Sequence, residues 1–288
     1  MLETRQLQAI ERLEDVRPHY RALLCDVWGV VHNGARAFAE ACAALQRFRA
    51  SGGVVVLLTN APRPRAVIPA QLDRLGVPRG AWDVVVTSGD ATRALLAARA
   101  PGPMLRIGPP QDAALWEGLG LLESGVEEAR FVAVSGLMDD RTETPADYAA
   151  VLGAARARDL PLICANPDIV VRMGERLIYC AGALAQAYEA LGGQVLMSGK
   201  PHAPIYDIAF AELARLAPGL ARAEVLAVGD GVSTDLAGAA AQGLDALFVA
   251  AGVHGDSLQR AGGLDVEAAR RALAQQGAAA RFGIAALR

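Results

Sequence analysis

Residues 23–34 read LLCDVWGVVHNG, and the rest of the predicted fold is organised around this stretch. Its apolar start is typical of a buried strand, which ends at the carboxylate of Asp26 and leads into a turn containing Gly29. In an open α/β sheet, ligands bind beyond the carboxyl ends of the strands, so an Asp at this point can take part in chemistry. A lone strand-end Asp more often only stabilises a turn. The functional interpretation of Asp26 therefore depends on whether other polar groups reach the same edge.

The composition narrows the class of protein. The 288 residues can form one large domain or two ordinary ones, and the formal net charge is -3. No basic run is interleaved with aromatic residues, which argues against a nucleic-acid surface. The four cysteines are widely spaced, without the pairing of a zinc site. The N-terminus resembles no signal peptide, and no apolar stretch reaches the ~20 residues of a membrane span. These features predict a reduced, cytoplasmic protein with no membrane partner.

The stretches that flank Asp26 predict a parallel sheet. Residues 36–51 have the apolar spacing of a helix, and Val54–Leu58 is a buried strand that ends in Thr59 and Asn60. Strand, helix and strand in close order indicate a right-handed parallel unit. Val225–Gly229 is a further buried strand, and it ends at Asp230.

Between these strands the pattern of predicted strands and helices changes. Residues 90–196 alternate short strands with helices, which indicates a second α/β domain inserted into the first. The predicted fold class is therefore α/β: a Rossmann-like core of residues 1–89 and 197–288, with an inserted α/β domain at 90–196.

Three local expectations complete the predicted fold. Residues 3–14 have the spacing of a short helix. Val195–Met197 is predicted as the strand with which the first domain resumes. The last 30 or so residues are predicted as a helix at 264–275 and a short tail.

Polar residues follow several of the predicted strands. These are Asp26, Thr59, Lys200 and Asp230, with Asp235 close behind. Carboxylates that are brought together repel unless a hard cation neutralises them, and Mg²⁺ prefers a few carboxylate oxygens beside a phosphate. A lysine adds a positive charge suited to phosphate. A nucleophilic Asp beside Mg²⁺ and Lys fits phosphoryl transfer through an aspartyl-phosphate.

Four short motifs carry a family resemblance. In order they are DVWGV at Asp26–Val30, LTN at Leu58–Asn60, GKP at Gly199–Pro201 and GDGVSTD at Gly229–Asp235. Together they resemble the haloacid dehalogenase-like hydrolase superfamily, in its NagD-like, p-nitrophenyl phosphatase-like class IIA branch. That resemblance implies a phosphatase acting on a small phosphorylated metabolite.

The position of the insert extends the resemblance to nearly the whole chain. Class IIA members carry a large α/β cap between the second and third motifs, as residues 90–196 would here. The segments ANPD at Ala165–Asp168 and AGAL at Ala181–Leu184 resemble recurring elements of that cap. An exposed apolar face of the cap could mediate a homodimer, although the sequence does not locate such a face.

The resemblance implies a Mg²⁺ site. Asp26 would be the nucleophile and a metal ligand. The backbone carbonyl of Trp28 would be a second ligand and Asp230 a third. Asp235 would orient metal-bound water or the nearby lysine.

The resemblance also implies the groups that meet the substrate. Thr59 and Asn60 would hold the phosphate, and Lys200 would bridge it to the nucleophile, which makes Thr59 and Lys200 catalytic together with Asp26. Asn166 and Asp168 of the cap would face the substrate.

One residue departs from the family pattern. Family phosphatases usually have an Asp two positions after the nucleophile, as acid to the leaving group and base to water, whereas this chain has Trp28. The carbonyl survives, but the proton donor does not, and such help is worth about 10²–10⁴-fold. Two alternatives stay open: a catalytically weak phosphate-binding or regulatory protein, and a hydrolase of activated acyl or aryl phosphates. His32 and His202 are the other residues considered as a substitute acid.

Overall fold

The computed structural model describes residues 7–173, 176–252, 258–260 and 263–288. Fifteen strands lie in this part of the chain: β1 Gln8–Ala9, β2 Ala22–Cys25, β3 Val54–Thr59, β4 Val84–Thr87, β5 Met104–Ile107, β6 Phe131–Val134, β7 Leu162–Cys164, β8 Val170–Met173, β9 Arg176–Tyr179, β10 Val195–Met197, β11 Val225–Gly229, β12 Asp245–Val249, β13 Gln259–Arg260, β14 Gly263–Leu264 and β15 Phe282–Ile284.

The same described ranges contain eight α-helices: α1 Ala39–Ala50, α2 Ile68–Leu75, α3 Ser88–Ala97, α4 Ala149–Ala157, α5 Ala181–Ala190, α6 Ala203–Leu216, α7 Ala237–Ala241 and α8 Val266–Gln275. Short 3₁₀ turns join several of them, and a π-helical turn, Val232–Leu236, precedes α7. None of the described helices is long and apolar enough to cross a membrane.

Seven parallel strands form the larger sheet, called here the core sheet, in the order β1-β15-β12-β11-β2-β3-β4. The strand β2 lies between β11 and β3, and both of its faces are covered. Leu23 and Cys25 pack on the side of α1 and α2, whereas Ala22 and Leu24 pack on the side of α6, α7 and α8. Burial on both faces explains why the central strands are unbroken apolar runs.

Four parallel strands form a second sheet, the cap sheet, in the order β10-β7-β6-β5. Helices α4 and α5 cover one face of this sheet. The end of α3 and the side chain of Trp116 cover the other face. An antiparallel hairpin of β8 and β9 extends from this unit. The strands of the cap sheet fall in sequence between β4 and β11 of the core sheet, and helices cover both sheets. This α/β arrangement confirms the predicted fold class. The domain limits 1–89, 90–196 and 197–288 stay a prediction, and residue 90 lies inside α3.

Three local expectations differ from the structure. In place of a helix at 3–14, the described residues form β1 and a 3₁₀ turn, because the chain pairs with β15 at the sheet edge through Gln8 N–H to Arg281 O at 3.0 Å. The predicted tail contributes β15 itself. The strand Val195–Met197 pairs with β7 of the cap sheet and not with the core sheet.

Candidate active site

The carboxyl edge of the core sheet brings the predicted residues together. Asp26 directly follows β2, and its N–H donates to Val228 O of β11 at 2.8 Å, which extends the strand pairing up to the carboxylate. Thr59 ends the neighbouring strand β3, and Asp230 follows β11. All three residues are buried. The strand order therefore explains why residues some 200 positions apart in sequence meet at one point.

Lys200 lies between two carboxylates at this edge. Its Nζ donates to Asp26 Oδ1 at 2.5 Å and to Asp235 Oδ1 at 2.7 Å, and its side chain is only 3% exposed. It is the only lysine in the chain; every other basic residue of the 28 is arginine. The compact ammonium suits this position, since a guanidinium is a wide planar fork.

Burial and charge compete in setting the protonation of this cluster. Burial works against the ammonium of Lys200, but Asp235 and Asp26 outweigh it and raise its pKa well above the usual value. Burial raises the pKa of Asp26, while Lys200 lowers it. The pKa of Asp235 is raised for the same reason, with Lys200 again opposing. One ammonium for two carboxylates leaves the cluster with excess negative charge.

A divalent cation would neutralise this excess negative charge. Oxygens of Asp26, Asp230 and Asp235 lie within 4.8 Å of one another, and all three residues are buried. Two glycines leave room around Asp230: a Cβ on Gly29, whose φ is +86°, would lie 2.5 Å from Asp230 Oδ2, and one on Gly252 would also collide with that carboxylate. Three hard oxygen donors are a chemistry suited to Mg²⁺ or Ca²⁺. The role of the Trp28 carbonyl stays a prediction.

Asn60 joins the core to the cap. Its Oδ1 accepts from the backbone N–H of Lys200 at 2.8 Å, and its Nδ2 donates to Asp168 Oδ1 at 2.9 Å. The loop that carries Asp168 is held by Asn166, whose Oδ1 accepts the Asp168 N–H at 3.1 Å. Thr59 Oγ1 accepts from Ala61 N–H. The motif residues of the cap and the core are thus brought together.

A cavity of about 300 Å³ opens between the two sheets at this point. Thr59, Asn166 and Asp168 line it, so a phosphate at the strand ends would have its leaving group in this space. Sequence reasoning missed an ion pair in its wall: Arg63 Nε lies 3.3 Å from the buried Asp112 Oδ1. Arg63 lies in the loop after β3, and Asp112 lies in the 3₁₀ turn Pro110–Leu115 after β5. The two residues share no motif, so no local signal in the sequence predicts their contact.

Trp28 also lines the cavity, and it binds the cap hairpin. Its indole Nε1 donates to Arg172 O of β8 at 2.7 Å, across 144 residues of sequence. The indole and the His32 imidazole pack edge to face, with centroids 5.3 Å apart. Gly34 makes room for the indole, because a Cβ there would lie 2.5 Å from the ring. Trp28 therefore ties the loop that follows β2 to the cap.

Neither histidine considered as a substitute acid is placed for that role. Burial lowers the pKa of His32 to about 4, so the ring is neutral near pH 7, and its Nδ1 accepts from Gly34 N–H. His202 is exposed at the start of α6 and does not line the cavity.

The Trp28 contact predicts a loss of stability in Trp28→Phe. Phenylalanine keeps an aromatic ring but leaves the Arg172 carbonyl without its indole donor, which should lower the free energy of unfolding by about 0.5–1.5 kcal/mol. Urea denaturation measures it. Trp82→Phe is the matched control, because the buried Trp82 Nε1 has no hydrogen-bond partner in the described structure. Equal losses in both variants would contradict a specific role for the indole hydrogen bond.

A parallel α/β core with an Asp–Lys–Asp cluster under an α/β cap defines a class of capped, carboxylate-based hydrolases. Comparisons with known proteins agree with this class. Residues 23–122 match the family model described as haloacid dehalogenase-like hydrolase, and residues 197–270 match a second described as HAD-hydrolase-like. A crystal structure of a haloacid dehalogenase-like hydrolase from Brucella suis is 46% identical, with a TM-score of 0.87 over 97% of this chain and 100% of that one.

Two further relatives are more distant. The 5'-nucleotidase YutF of Bacillus subtilis is 28% identical over 236 residues, which is 81% of this chain and 88% of that protein. A glycerol phosphate phosphatase from Mycobacterium tuberculosis, solved with calcium, is 27% identical, with a TM-score of 0.60 over 83% of this chain and 68% of that one. The chain belongs to the haloacid dehalogenase-like hydrolase family, as its motifs predicted, and it is an enzyme of hydrolase type.

Proposed function

We propose that this enzyme is a Mg²⁺-dependent phosphatase that hydrolyses a small phosphorylated metabolite through an aspartyl-phosphate on Asp26. The observation that carries the proposal is the position of Lys200 Nζ, 2.5 Å from Asp26 Oδ1 and 2.7 Å from Asp235 Oδ1. An ammonium there orients the Asp26 carboxylate and places positive charge where phosphate oxygens would lie.

Each residue of the site has its own role in the two steps of this reaction. Asp26 attacks phosphorus with the oxygen that Lys200 does not engage, and the bond to the leaving oxygen breaks. Thr59 and the backbone at Asn60 hold the phosphoryl oxygens, and Asn166 and Asp168 meet the leaving group. Water then displaces the Asp26 carboxylate from phosphorus and releases inorganic phosphate.

Asp26, Asp230 and the Trp28 carbonyl would hold Mg²⁺, with Asp235 orienting its water or Lys200. When bound, the ion supplies positive charge that offsets both the carboxylates and the phosphate.

The relatives support this substrate chemistry. One is named a 5'-nucleotidase and another a glycerol phosphate phosphatase solved with calcium. Both names describe phosphomonoester hydrolysis, and the second protein was solved in complex with calcium, a divalent ion. The two alternatives, a phosphate-binding protein and a hydrolase restricted to acyl or aryl phosphates, predict different substrate profiles.

Hydrolysis of p-nitrophenyl phosphate tests the proposal most directly. Protein stripped with EDTA should be inactive and should regain turnover as Mg²⁺ is added. A panel of metabolite phosphates then measures which leaving groups are accepted. Binding of phosphate without turnover of any ester would favour the regulatory alternative.

The metal site predicts a loss of affinity in Asp230→Asn. The amide removes one negative charge from the cluster, so calorimetry should find Mg²⁺ binding weaker by about 10–100-fold or more. Asp207→Asn is the control, since Asp207 is an exposed carboxylate on α6. Both variants should keep the thermal unfolding transition of a folded protein. Unchanged Mg²⁺ affinity in Asp230→Asn would remove the proposed site.

A further inference from the structure

The position of the family's usual acid carries no transferable proton in this enzyme. Trp28 occupies it, an indole N–H is not acidic near neutral pH, and that N–H is already donated to Arg172 O at 2.7 Å. Alkyl leaving groups need a proton, because an alkoxide is a strong base. A phosphatase for ordinary metabolites must therefore obtain the proton from another group that lines the cavity.

Two titratable side chains that line the cavity already have other partners. His32 is neutral, and its Nδ1 faces Gly34 N–H. Asp112 is paired with Arg63 in the far wall. The carboxylate of Asp168, by contrast, acts on the nucleophile and raises the pKa of Asp26.

Asp168 lines the cavity and is held there by a hydrogen bond from the core. Its Oδ1 accepts from Asn60 Nδ2 at 2.9 Å, and Asn60 also binds the backbone of Lys200. Its Oδ2 has no hydrogen-bond partner in the described structure, and the residue lines the cavity. Gly182 permits the close packing of this loop, because a Cβ there would collide with the carbonyls of Pro167 and Asp168.

We infer that Asp168, supplied by the cap, is the proton donor that replaces the acid missing at position 28. The inference rests on the proposed phosphatase function. As Asp26 bonds to phosphorus and the bond to the leaving oxygen breaks, the Asp168 carboxyl gives its proton to that oxygen. In the second step water bonds to phosphorus and the bond to Asp26 breaks, while Asp168 takes a proton from the water. The sum is ester plus water giving alcohol plus inorganic phosphate.

The charges around Asp168 favour a carboxyl that can hold a proton. Burial raises its pKa and Asp235 adds to the effect, whereas Lys200 and the Asn60 hydrogen bond oppose it. Asp26 also acts on the carboxyl, and the buried thiols Cys164 and Cys180 face the same loop.

The test compares leaving groups in Asp168→Asn. The amide keeps an oxygen for Asn60 and nearly the same volume, but it cannot transfer a proton. The measurement is kcat/KM, which reports the steps through departure of the leaving group, for an alkyl phosphate and for p-nitrophenyl phosphate. We expect the ratio of alkyl to aryl values to fall by about 10²–10⁴-fold. The aryl substrate should also show a burst of nitrophenolate, because the second step loses its base.

Two variants separate proton donation from loop positioning. Asp140→Asn changes another carboxylate that lines the cavity and should leave the alkyl-to-aryl ratio of the wild type. Trp28→Asp restores an acid at the family's position, so the double variant Trp28→Asp/Asp168→Asn should regain a substantial part of the alkyl rate. A residue that only supported Asn60 would not be rescued by a carboxyl at position 28.

The outcomes distinguish this inference from the proposed function. If Asp168→Asn lowers both substrates equally, or neither, Asp168 is not the proton donor although the enzyme is still a phosphatase. If the wild type hydrolyses aryl but not alkyl esters, no acid is present and the activated-phosphate alternative holds. If the wild type hydrolyses neither, the phosphatase proposal itself fails.

Discussion

Asp26→Asn should lower the turnover of p-nitrophenyl phosphate by about 10⁴–10⁶-fold, the usual effect of removing a covalent nucleophile. The amide oxygen is a poor nucleophile, and no aspartyl-phosphate can form on it. The fold should persist, because Lys200 keeps its contact with Asp235 at 2.7 Å. Rates are measured at saturating substrate and Mg²⁺. Mass spectrometry of acid-quenched samples should find phosphorylated protein in the wild type and none in the variant.

Asp83→Asn is the matched control for the nucleophile. Asp83 directly precedes β4, at the amino ends of the core strands, whereas Asp26 lies at their carboxyl ends. The Asp83 carboxylate contacts Arg49 and accepts the Val55 N–H at 2.8 Å. Its replacement should cost stability but not catalysis, when both variants are assayed well below their unfolding temperatures. Turnover by Asp26→Asn close to the wild-type rate would exclude the aspartyl-phosphate mechanism.

Lys200→Met should have the largest effect on stability. Removing one partner of a buried ion pair costs about 3–5 kcal/mol, because it leaves buried charge uncompensated. Asp26 and Asp235 would then face each other without a cation, and the pKa of each would rise further. A carboxyl whose pKa is raised in the folded state destabilises the protein when it is ionised. The deficit relative to wild type should therefore grow as pH rises from 5 to 8.

Urea denaturation at both pH values in EDTA measures this dependence. Added Mg²⁺ should reduce the deficit at pH 8, because the ion replaces part of the missing positive charge. Lys200→Arg is the matched control: it keeps the charge, so its deficit should change little with pH even if the wide guanidinium packs poorly. A deficit of Lys200→Met that is equal at pH 5 and pH 8 would contradict this account.

Short-range patterns in the sequence predicted which strands end in polar residues at one edge of the core sheet, whereas the roles of those residues stay predictions. The strands β2, β3 and β11 are apolar runs that end at Asp26, Thr59 and Asp230, and parallel strands bring such ends to one edge. The helix predicted at 264–275 is α8, Val266–Gln275, because its apolar spacing is a local signal.

Long-range pairing could not be predicted in this way. The pairing of β1 with β15 joins the two ends of the chain, and β10 has the same composition whichever sheet it joins. The hydrogen bond from Trp28 to Arg172 depends on where the cap hairpin lies over the core. Each of these contacts is set by tertiary packing, for which a single sequence holds no local periodicity.

The single lysine gives this enzyme a built-in spectroscopic probe. Because Lys200 is the only lysine of the sequence, protein produced with ¹⁵N-lysine carries its label only at that residue. The Nζ resonance then needs no assignment, and it reports the ammonium that lies between Asp26 and Asp235. Titrations with metal, phosphate or acid would be read at the centre of the proposed active site, from one signal and without a background from the rest of the molecule.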